Sequence, residues 1–371
     1  MANIVKVIKD ENFISFIGLK NFFEEKNIDV KEKDSLYMLC FTELSDITQD
    51  YIRECNGIIL EKNTNKIVHY TFPKCYDAFD HNTSVIDTDL IAYDDNGKYS
   101  VNWFIDGSVI KLFYYNEKWN IATSRNIDGS KNRWSSQKTF EVLFQEAIHH
   151  SHFIEYTSFL ESLDKDCSYS YIIQHPEHTT ATTSVGHVPV AVLLNIVNNN
   201  TLVEELPEHE NFKINKTIDE IVSSDRQVTD NFLVYKYDES GKVSSRIKLL
   251  SPSFIKLKET FGNLPNIGLR YLEIEDKQLL RNTFPDNKSI YDEIDIKFSR
   301  ICKHIHLLYM HIHVRKNHLE YDPKYTRILY QMHTRYRQTK NPITVSDIKT
   351  KLEEVGCKNP RALANIINFR Y

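Results

Sequence analysis

Trp103-Phe104-Ile105-Asp106-Gly107-Ser108-Val109 is the stretch that decides the fold of this 371-residue chain. The residues on both sides of it are rich in β-branched and aromatic types, and Asp-Gly is typical of a tight turn between two strands. The same four residues, Ile-Asp-Gly-Ser, occur again at 127–130, so the turn alone has little specificity. The fold is therefore inferred from the order of the segments before and after this turn.

Short β-rich runs lie on both sides of this turn. From Ser35 to about Ala122 they are separated by Asn, Asp and Gly, a pattern that predicts a mostly antiparallel sheet. Helices are predicted over residues 11–26 and from 137 to about 162, after which strands return. The Asp-Glu-Ser-Gly sequence at 238–241 predicts a hairpin between the last two strands.

Beyond Pro285 the pattern becomes helical. Apolar residues recur there at steps of three and four, which predicts one buried helix face: Ile294, Phe298, Ile301, Ile305, Leu308 and Ile312. Further helices are predicted over 323–338, from about 346 to 356, and after Asn359 as cap with Pro360 in the first turn. We therefore expect an α+β core of antiparallel sheets with flanking helices at 1–285 and an all-α domain at 286–371.

The composition, 41% hydrophobic and 26% charged, is that of an ordinary globular protein. The sequence shows neither a signal-peptide pattern nor an apolar run long enough to span a bilayer, so we expect a soluble, intracellular protein with no membrane partner. Its six cysteines are scattered singly, which favours reduced thiols.

The net charge of −5 conceals an asymmetry along the chain. Residues 301–371 hold thirteen Lys and Arg against five Asp and Glu, whereas the rest hold 33 against 46. A basic segment of this kind is expected to attract a phosphate backbone. A solvated helical face with surplus cations is the plainer interpretation, and the charge alone does not separate the two.

Several segments, in order, resemble the motifs of the covalent nucleotidyltransferases, and of RNA ligases in particular. Residues 103–109 resemble the first motif, Lys-x-Asp-Gly-Ser, and residues 169–177 resemble the third motif in the Gln-His-Pro-Glu form found in ligase-like proteins of large DNA viruses. Further segments resemble the lead-in, the strand ending in Arg, and the fourth and fifth motifs: 53–60 with 69–74, 119–125, 230–234 and 246–252. A viral pattern continues through 262–266 and 270–273.

The resemblance implies an adenylyltransferase core of the ATP-grasp-like type found in RNA and DNA ligases. In that family the motif lysine attacks the α-phosphate of ATP and becomes a lysyl adenylate. In this sequence Phe104 occupies the lysine position and Asn56 the position of a family arginine. Asp230 and Asn231 stand where the family has Glu-Gly. These departures predict a catalytically inactive protein, a pseudoenzyme that serves as a nucleic-acid-binding or structural module.

Six residues are implied by the resemblance as contacts to a nucleotide or to phosphate: Asp106, Gly107, Arg125, Gln174, Arg246 and Lys248. Each also has a structural interpretation. Gln174 could satisfy a buried strand end, and Arg246 and Lys248 alternate with apolar residues as in any amphipathic strand.

The alternative is an active ATP-dependent RNA ligase that uses a displaced lysine. Lys111, on the strand after the turn, and Lys74, which ends the upstream Phe-Pro-Lys segment, are the candidates. ATP and magnesium would then be required, with Asp230 and Asp106 near the metal. The expected partners are RNA or DNA, bound by the cleft and the basic C-terminal domain, and other viral proteins, in the host cytoplasm or the virion.

Five histidines crowd the first C-terminal helix and its end: His304, His306, His311, His313 and His318. A helical zinc site usually combines two histidines four residues apart with a third ligand. That arrangement is not evident in the sequence, so these residues are expected to be surface or core histidines.

Overall fold

In this computed structural model the chain divides into two compact units, Met1–Ile255 and Lys256–Tyr371. The structure describes residues 3–13, 15–80, 85–86, 98–134, 136–178, 188–207, 213–214, 216–224, 226–227, 229–261 and 266–370. Residues 262–265, part of the viral pattern, lie outside these ranges.

The first unit is built mainly of short strands, as expected. Its strands are β1 Ile28–Lys33, β2 Leu36–Phe41, β3 Asn56–Glu61, β4 Ile67–His69, β5 Tyr76–Asp77, β6 Phe79–Asp80, β7 Val85–Ile86, β8 Lys98–Trp103, β9 Ser108–Tyr115, β10 Lys118–Thr123, β11 Cys167–Gln174, β12 Val190–Asn198, β13 Glu204–Glu205, β14 Phe232–Tyr237 and β15 Val243–Leu249. Its helices are α1 Asn3–Asp10, α2 Phe16–Glu24, α3 Asp50–Glu54, α4 Phe140–His152, α5 Tyr156–Glu161 and α6 Ile218–Ser223.

Three larger sheets organise this unit. The N-terminal sheet has the order β1-β2-β3-β4, the central sheet β10-β9-β11-β12-β13, and the third sheet β5-β15-β14-β8. Their strand pairs are antiparallel apart from β5 with β15. The expected class, α+β with antiparallel sheets, is confirmed, and so is the hairpin that joins β14 and β15.

Each sheet buries a face against helices or against another sheet. The N-terminal sheet packs α1 and α2 on one side and strands of the central sheet on the other, where Met38 and Phe113 meet. The opposite side of the central sheet is covered by α4, which buries Phe144. The third sheet packs against α6 through Ile221. The alternation of residues along β9 therefore places Ile110 towards α4 and Lys111 towards the N-terminal sheet.

Two helices differ from their predicted bounds. The helix expected over 11–26 begins only at Phe16, because the Ser15 hydroxyl caps it by accepting from the Gly18 amide. The helix expected from 137 to 162 breaks at Phe153, whose φ of 54° is left-handed, and a second helix, α5, follows it.

The second unit is helical, as expected of the C-terminal domain. Its helices are α7 Pro252–Phe261, which begins in the first unit, α8 Ile267–Glu273, α9 Lys277–Thr283, α10 Lys288–Tyr309, α11 Thr326–Thr339, α12 Val345–Lys358 and α13 Pro360–Ile366. A π-helical turn, Met310–Val314, continues α10. Asn359 caps α13 by accepting from the Ala362 amide, as predicted.

The division between the units lies earlier than the expected boundary near residue 285. The physical reason is that α8 and α9 bury Leu269, Tyr271 and Leu280 in the same core as Ile294 and Ile305 of α10. The residues between 267 and 283 thus belong with the helices that follow them. Within the described ranges, no helix is both long and apolar enough to cross a bilayer.

Candidate functional site

The loop 104–107 connects two different sheets. Strand β8, before it, lies at an edge of the third sheet, and strand β9, after it, lies inside the central sheet. The backbone amide of Phe104 donates to the Asn231 carbonyl, 2.8 Å away, which fastens the loop to the start of β14. The Asp-Gly turn therefore connects two different sheets. It is not an ordinary turn between two paired strands of one sheet.

Phe104 lies at the start of this loop, after Trp103 at the end of β8. Its ring packs edge to face against Phe254, with 6.2 Å between the centroids. The Lys248 ammonium lies 5.7 Å from the centre of the same ring. An aromatic ring thus fills this point, and it carries no atom that could form a bond to phosphorus.

Asp106, Gly107 and Gln174 form the frame of the loop. The Gln174 amide group donates to the backbone carbonyl of Asp106 at 2.7 Å. A Cβ atom on Gly107 would lie 2.5 Å from the Ile173 carbonyl oxygen, so only glycine fits between the loop and β11. The contact of Gln174 supports its structural interpretation, because one N–H of its amide group holds the turn.

Sequence reasoning missed a second clamp on this loop. The Ser108 hydroxyl and Nε2 of His178 are 2.6 Å apart. Burial lowers the pKa of His178 to about 4, and the nearby His175 acts in the same direction, so the ring is uncharged near neutral pH. The available signal was that His178 directly follows the segment resembling the third motif, although spacing alone could not pair it with Ser108.

Lys111 is the most deeply buried cation of the candidate set, with 1% of its surface exposed. Its ammonium donates to the backbone carbonyls of Asn56 at 2.9 Å and Gly57 at 2.5 Å. Burial lowers the pKa of Lys111 to about 8. Gly57 has a φ of 75°, and a Cβ there would lie 2.1 Å from the Lys111 nitrogen. The amine is therefore enclosed beneath the start of β3.

Two other candidate cations share one aromatic ring. The Arg125 guanidinium lies 5.3 Å from the centre of the Phe41 ring and the Lys74 ammonium 5.5 Å from it. Arg125 also donates to the Phe41 carbonyl at 2.6 Å. Arg125 is exposed and Lys74 is partly exposed, so both can reach a solvent-borne phosphate.

Lys74 also connects this pair to Lys248. The Lys74 ammonium is 3.9 Å from the Asp77 carboxylate, and the backbone of Asp77 lies opposite that of Lys248 in the register of β5 and β15. We call Lys74, Arg125 and Lys248 the cationic strip. None of the ion pairs found among the described residues involves Arg125 or Lys248. The strip therefore carries a surplus of positive charge.

Arg246 has a different environment from the strip. It is 6% exposed and forms an ion pair with Glu204, whose carboxylate also accepts from the Asn195 amide at 2.8 Å. Its guanidinium lies 4.9 Å from the centre of the Phe72 ring. The charge of Arg246 is thus neutralised inside the unit, which supports its structural interpretation over phosphate binding.

An open groove of about 910 Å³ lies beside Arg125, between β1 and the segment after β2. Its lining includes Lys31 and Arg125 but also three carboxylates, Glu24, Asp29 and Glu43. This mixed charge gives the groove no preference for a polyanion.

Magnesium, which the resemblance implies, has no preformed set of three protein ligands among the described residues. Within the part of the chain that the structure describes, no three His, Cys, Asp or Glu side chains lie close enough together to hold a metal ion. The Asp230 carboxylate accepts from the Gln227 amide at 2.9 Å, and the Asn231 side chain accepts from the Ser251 amide at 2.8 Å. The residues at the fourth motif thus cap backbone groups.

Two viral proteins are similar in sequence to parts of the chain. No protein-family model matches the chain. An "Immediate-early protein ICP-46 homolog" of Invertebrate iridescent virus 3 is 25% identical over 141 residues, 37% of this chain and 31% of that protein. A protein of the same description from Invertebrate iridescent virus 6 is 22% identical over 310 residues, 74% of this chain and 68% of that protein. The first match thus spans about a third of its relative.

Ligases are among the solved structures that are similar to the chain. A "Putative ATP-dependent DNA ligase from Aquifex aeolicus" has a TM-score of 0.39 and 13% identity, with 94% of this chain and 77% of that chain covered. A mutant RNA ligase of Naegleria gruberi with ATP and Mn has a TM-score of 0.29 and 12% identity, covering 43% of this chain and 51% of the other. At these scores the likeness assigns no residue a role, and the roles rest on contacts within this chain.

Proposed function

We propose that this chain is a ligase-like protein that binds RNA or DNA without forming a covalent adenylate. The observation that carries the proposal is the position of Phe104 at the crossing between the third and central sheets, against Phe254 and Lys248. Formation of a lysyl adenylate requires an amine whose lone pair attacks phosphorus. A phenyl ring has no such lone pair, so the side chain at this position cannot form the adenylate.

The cationic strip supports phosphate binding. Arg125 and Lys74 flank the Phe41 ring, and Lys248 continues the positive charge towards Phe104. Cations on a partly exposed surface bind a phosphate backbone by releasing its condensed counterions, which makes the affinity depend on salt. Asp77 offsets part of this charge beside Lys74, so Arg125 and Lys248 are the stronger contacts.

Binding of a labelled single-stranded RNA, measured by fluorescence anisotropy over a series of salt concentrations, tests this proposal. Arg125→Ala and Lys248→Ala should each weaken binding and reduce the slope of log affinity against log salt by about 0.7. Lys242→Ala is the matched control, because Lys242 is an exposed lysine in the hairpin turn before β15. Equal slopes for the wild type, the two strip variants and the control would contradict the proposal.

Lys111 favours one competing function, an active ligase with a displaced nucleophile. Its pKa of about 8 would leave part of the amine unprotonated near neutral pH, as a nucleophilic lysine requires. The enclosure of this amine by the carbonyls of Asn56 and Gly57 opposes that function, since an α-phosphate would have to displace both contacts. The pseudoenzyme is therefore the better-supported proposal.

The biological setting that we propose is viral. The two related proteins come from iridescent viruses, and both are described as immediate-early protein homologs. A nucleic-acid-binding protein of such a virus would act in the host cytoplasm or in the virion, with other viral proteins as further partners. Detection of the chain in purified virions, set against its abundance in infected cytoplasm, distinguishes the two locations.

A further inference from the structure

A ladder of four aromatic rings lies on the surface of the second unit. The π-helical turn after α10 places the His313 ring 4.3 Å from the His333 ring of α11, with 14° between their planes. Tyr336 continues the stack, its ring centroid 6.2 Å from that of His333 at 26°. On the other side, Tyr330 meets His313 edge to face at 6.4 Å. We call His313, Tyr330, His333 and Tyr336 the aromatic ladder.

The outer rings of the ladder are open to solvent. Tyr330 is 64% exposed and Tyr336 is 39% exposed. Helix α11 buries Leu329 and Met332 in the helical core, and neither tyrosine is among the side chains packed in that core. Burial lowers the pKa of His313, and the neighbouring His333 adds to this effect, so the uncharged form of the His313 ring predominates near neutral pH.

Cations surround the ladder. Arg327 precedes Tyr330 by three residues and Arg337 follows His333 by four, so both share its helix face. Arg315 and Lys316 follow the π-helical turn directly, and all four side chains are exposed.

Carboxylates are scarce on this surface. The sequence of α11 and residues 310–319 contain no Asp or Glu. Among the residues whose placement is described, the four cations take part in no ion pair, whereas the neighbouring Arg335 pairs with Asp347 at 2.6 Å. The surface thus combines flat rings with positive charge that is not neutralised.

We propose that the aromatic ladder is a stacking platform for single-stranded nucleic acid, with Arg327, Arg337, Arg315 and Lys316 as contacts to its backbone. This inference rests on the proposed nucleic-acid binding and narrows its ligand. Aromatic side chains stack on unpaired bases regardless of sequence, while cations follow the phosphates. In a duplex the bases already stack on one another, and their faces cannot reach Tyr330 or Tyr336. The preferred ligand is therefore a strand with exposed bases.

Two single-stranded oligonucleotides of equal length, one with bases throughout and one with a central abasic stretch, test the platform. They carry the same number of phosphates, so the cationic strip binds both alike, whereas the ladder requires bases. The wild type should bind the abasic strand at least tenfold more weakly, since loss of one stacked base costs about a factor of ten in affinity. The variant Tyr330→Ala with Tyr336→Ala should lose this preference while still binding the abasic strand.

Two further variants serve as controls. The conservative change Tyr330→Phe keeps a ring for stacking and should keep the preference for bases. Phe153→Ala removes an 87% exposed ring elsewhere and should also leave it intact. If the double tyrosine variant keeps the preference while Lys248→Ala weakens both strands, the platform is wrong and the proposed function stands. If the wild type binds neither strand, both are overturned.

Discussion

Single residues decide whether this fold can carry out chemistry. Phe104 has no amine at the position where the resemblance implies a lysine, and Lys111, the proposed replacement, lies under the carbonyls of Asn56 and Gly57. Burial of a lysine without a carboxylate partner disfavours its charged form. The lowered pKa of Lys111 is thus a consequence of packing as much as a sign of reactivity, and the two can be separated by measurement.

The buried amine of Lys111 predicts a particular dependence of stability on pH. Its pKa falls from the ordinary 10.5 to about 8 in the folded chain. Between these values the unfolded chain binds a proton that the folded chain does not, so unfolding free energy contributed by this group rises with pH. Relative to Lys111→Met, the unfolding free energy of the wild type should therefore rise by roughly 3 kcal/mol between pH 8 and pH 10.5.

Urea unfolding of both proteins below and above this interval measures that gain. Lys118→Met, at an exposed position of β10, is the matched control and should show a difference from the wild type that does not change with pH. A difference for Lys111→Met that is equally independent of pH would show that the amine is not buried in the folded chain.

At the scale of elements, side-chain contacts between segments that are distant in sequence fix the arrangement of the sheets around the candidate site. The two-residue strand β13 brings Glu204 to Arg246 of β15, so an element at one edge of the central sheet neutralises a cation of the third sheet. Breaking a buried ion pair from one side leaves a charge without compensation. This contact therefore contributes to the arrangement of both sheets.

Glu204→Gln should destabilise the fold, because it leaves the Arg246 charge buried and uncompensated. Loss of one partner of a buried pair costs about 3–5 kcal/mol, and the partial exposure of Glu204 places the expected loss near the lower end. The adjacent Glu205→Gln is the control, since Glu205 is exposed, and it should change the free energy of unfolding by less than about 0.5 kcal/mol. Equal urea midpoints for the two variants would contradict a structural role for the pair.

The sequence predicted the elements that have a long periodic pattern or a typical turn sequence. Helix α10 spans six turns with one apolar face, and the hairpin between β14 and β15 has a typical turn sequence; both are confirmed. Helices α8 and α9 were not predicted, because seven residues hold only two turns and show little periodicity. The role of their apolar residues becomes evident only from their packing against α10.

The resemblance grouped Asp106, Gly107 and Gln174 as contacts to a nucleotide, and the structure joins them in one loop frame. Their contact with a nucleotide stays a prediction. Contacts between residues that are far apart in the chain leave no pattern in the local sequence, so they were not predicted. Glu204 lies far from Arg246 in sequence, and the ladder ring His333 is separated from His313 by a whole loop. Such partners depend on tertiary packing.

Considered as a whole, the molecule carries positive surfaces in both of its units despite a net charge of −5. The cationic strip belongs to the first unit and the aromatic ladder with its cations to the second. Separate surfaces of this kind suit a protein that holds nucleic acid, whereas a ligase also requires an accessible nucleophile. The absence of a covalent adenylate is thus the central claim.

Incubation of the purified protein with α-labelled ATP and magnesium, followed by denaturation and gel analysis, tests this claim most directly. An active ATP-dependent RNA ligase treated in parallel shows that the reagents work. We predict that the wild-type chain retains no label and that its intact mass is unchanged, as for Lys111→Arg. Acid-labile label that remains on the denatured wild type would contradict the account, and its loss in Lys111→Arg but not in Lys118→Arg would place the adenylate on Lys111.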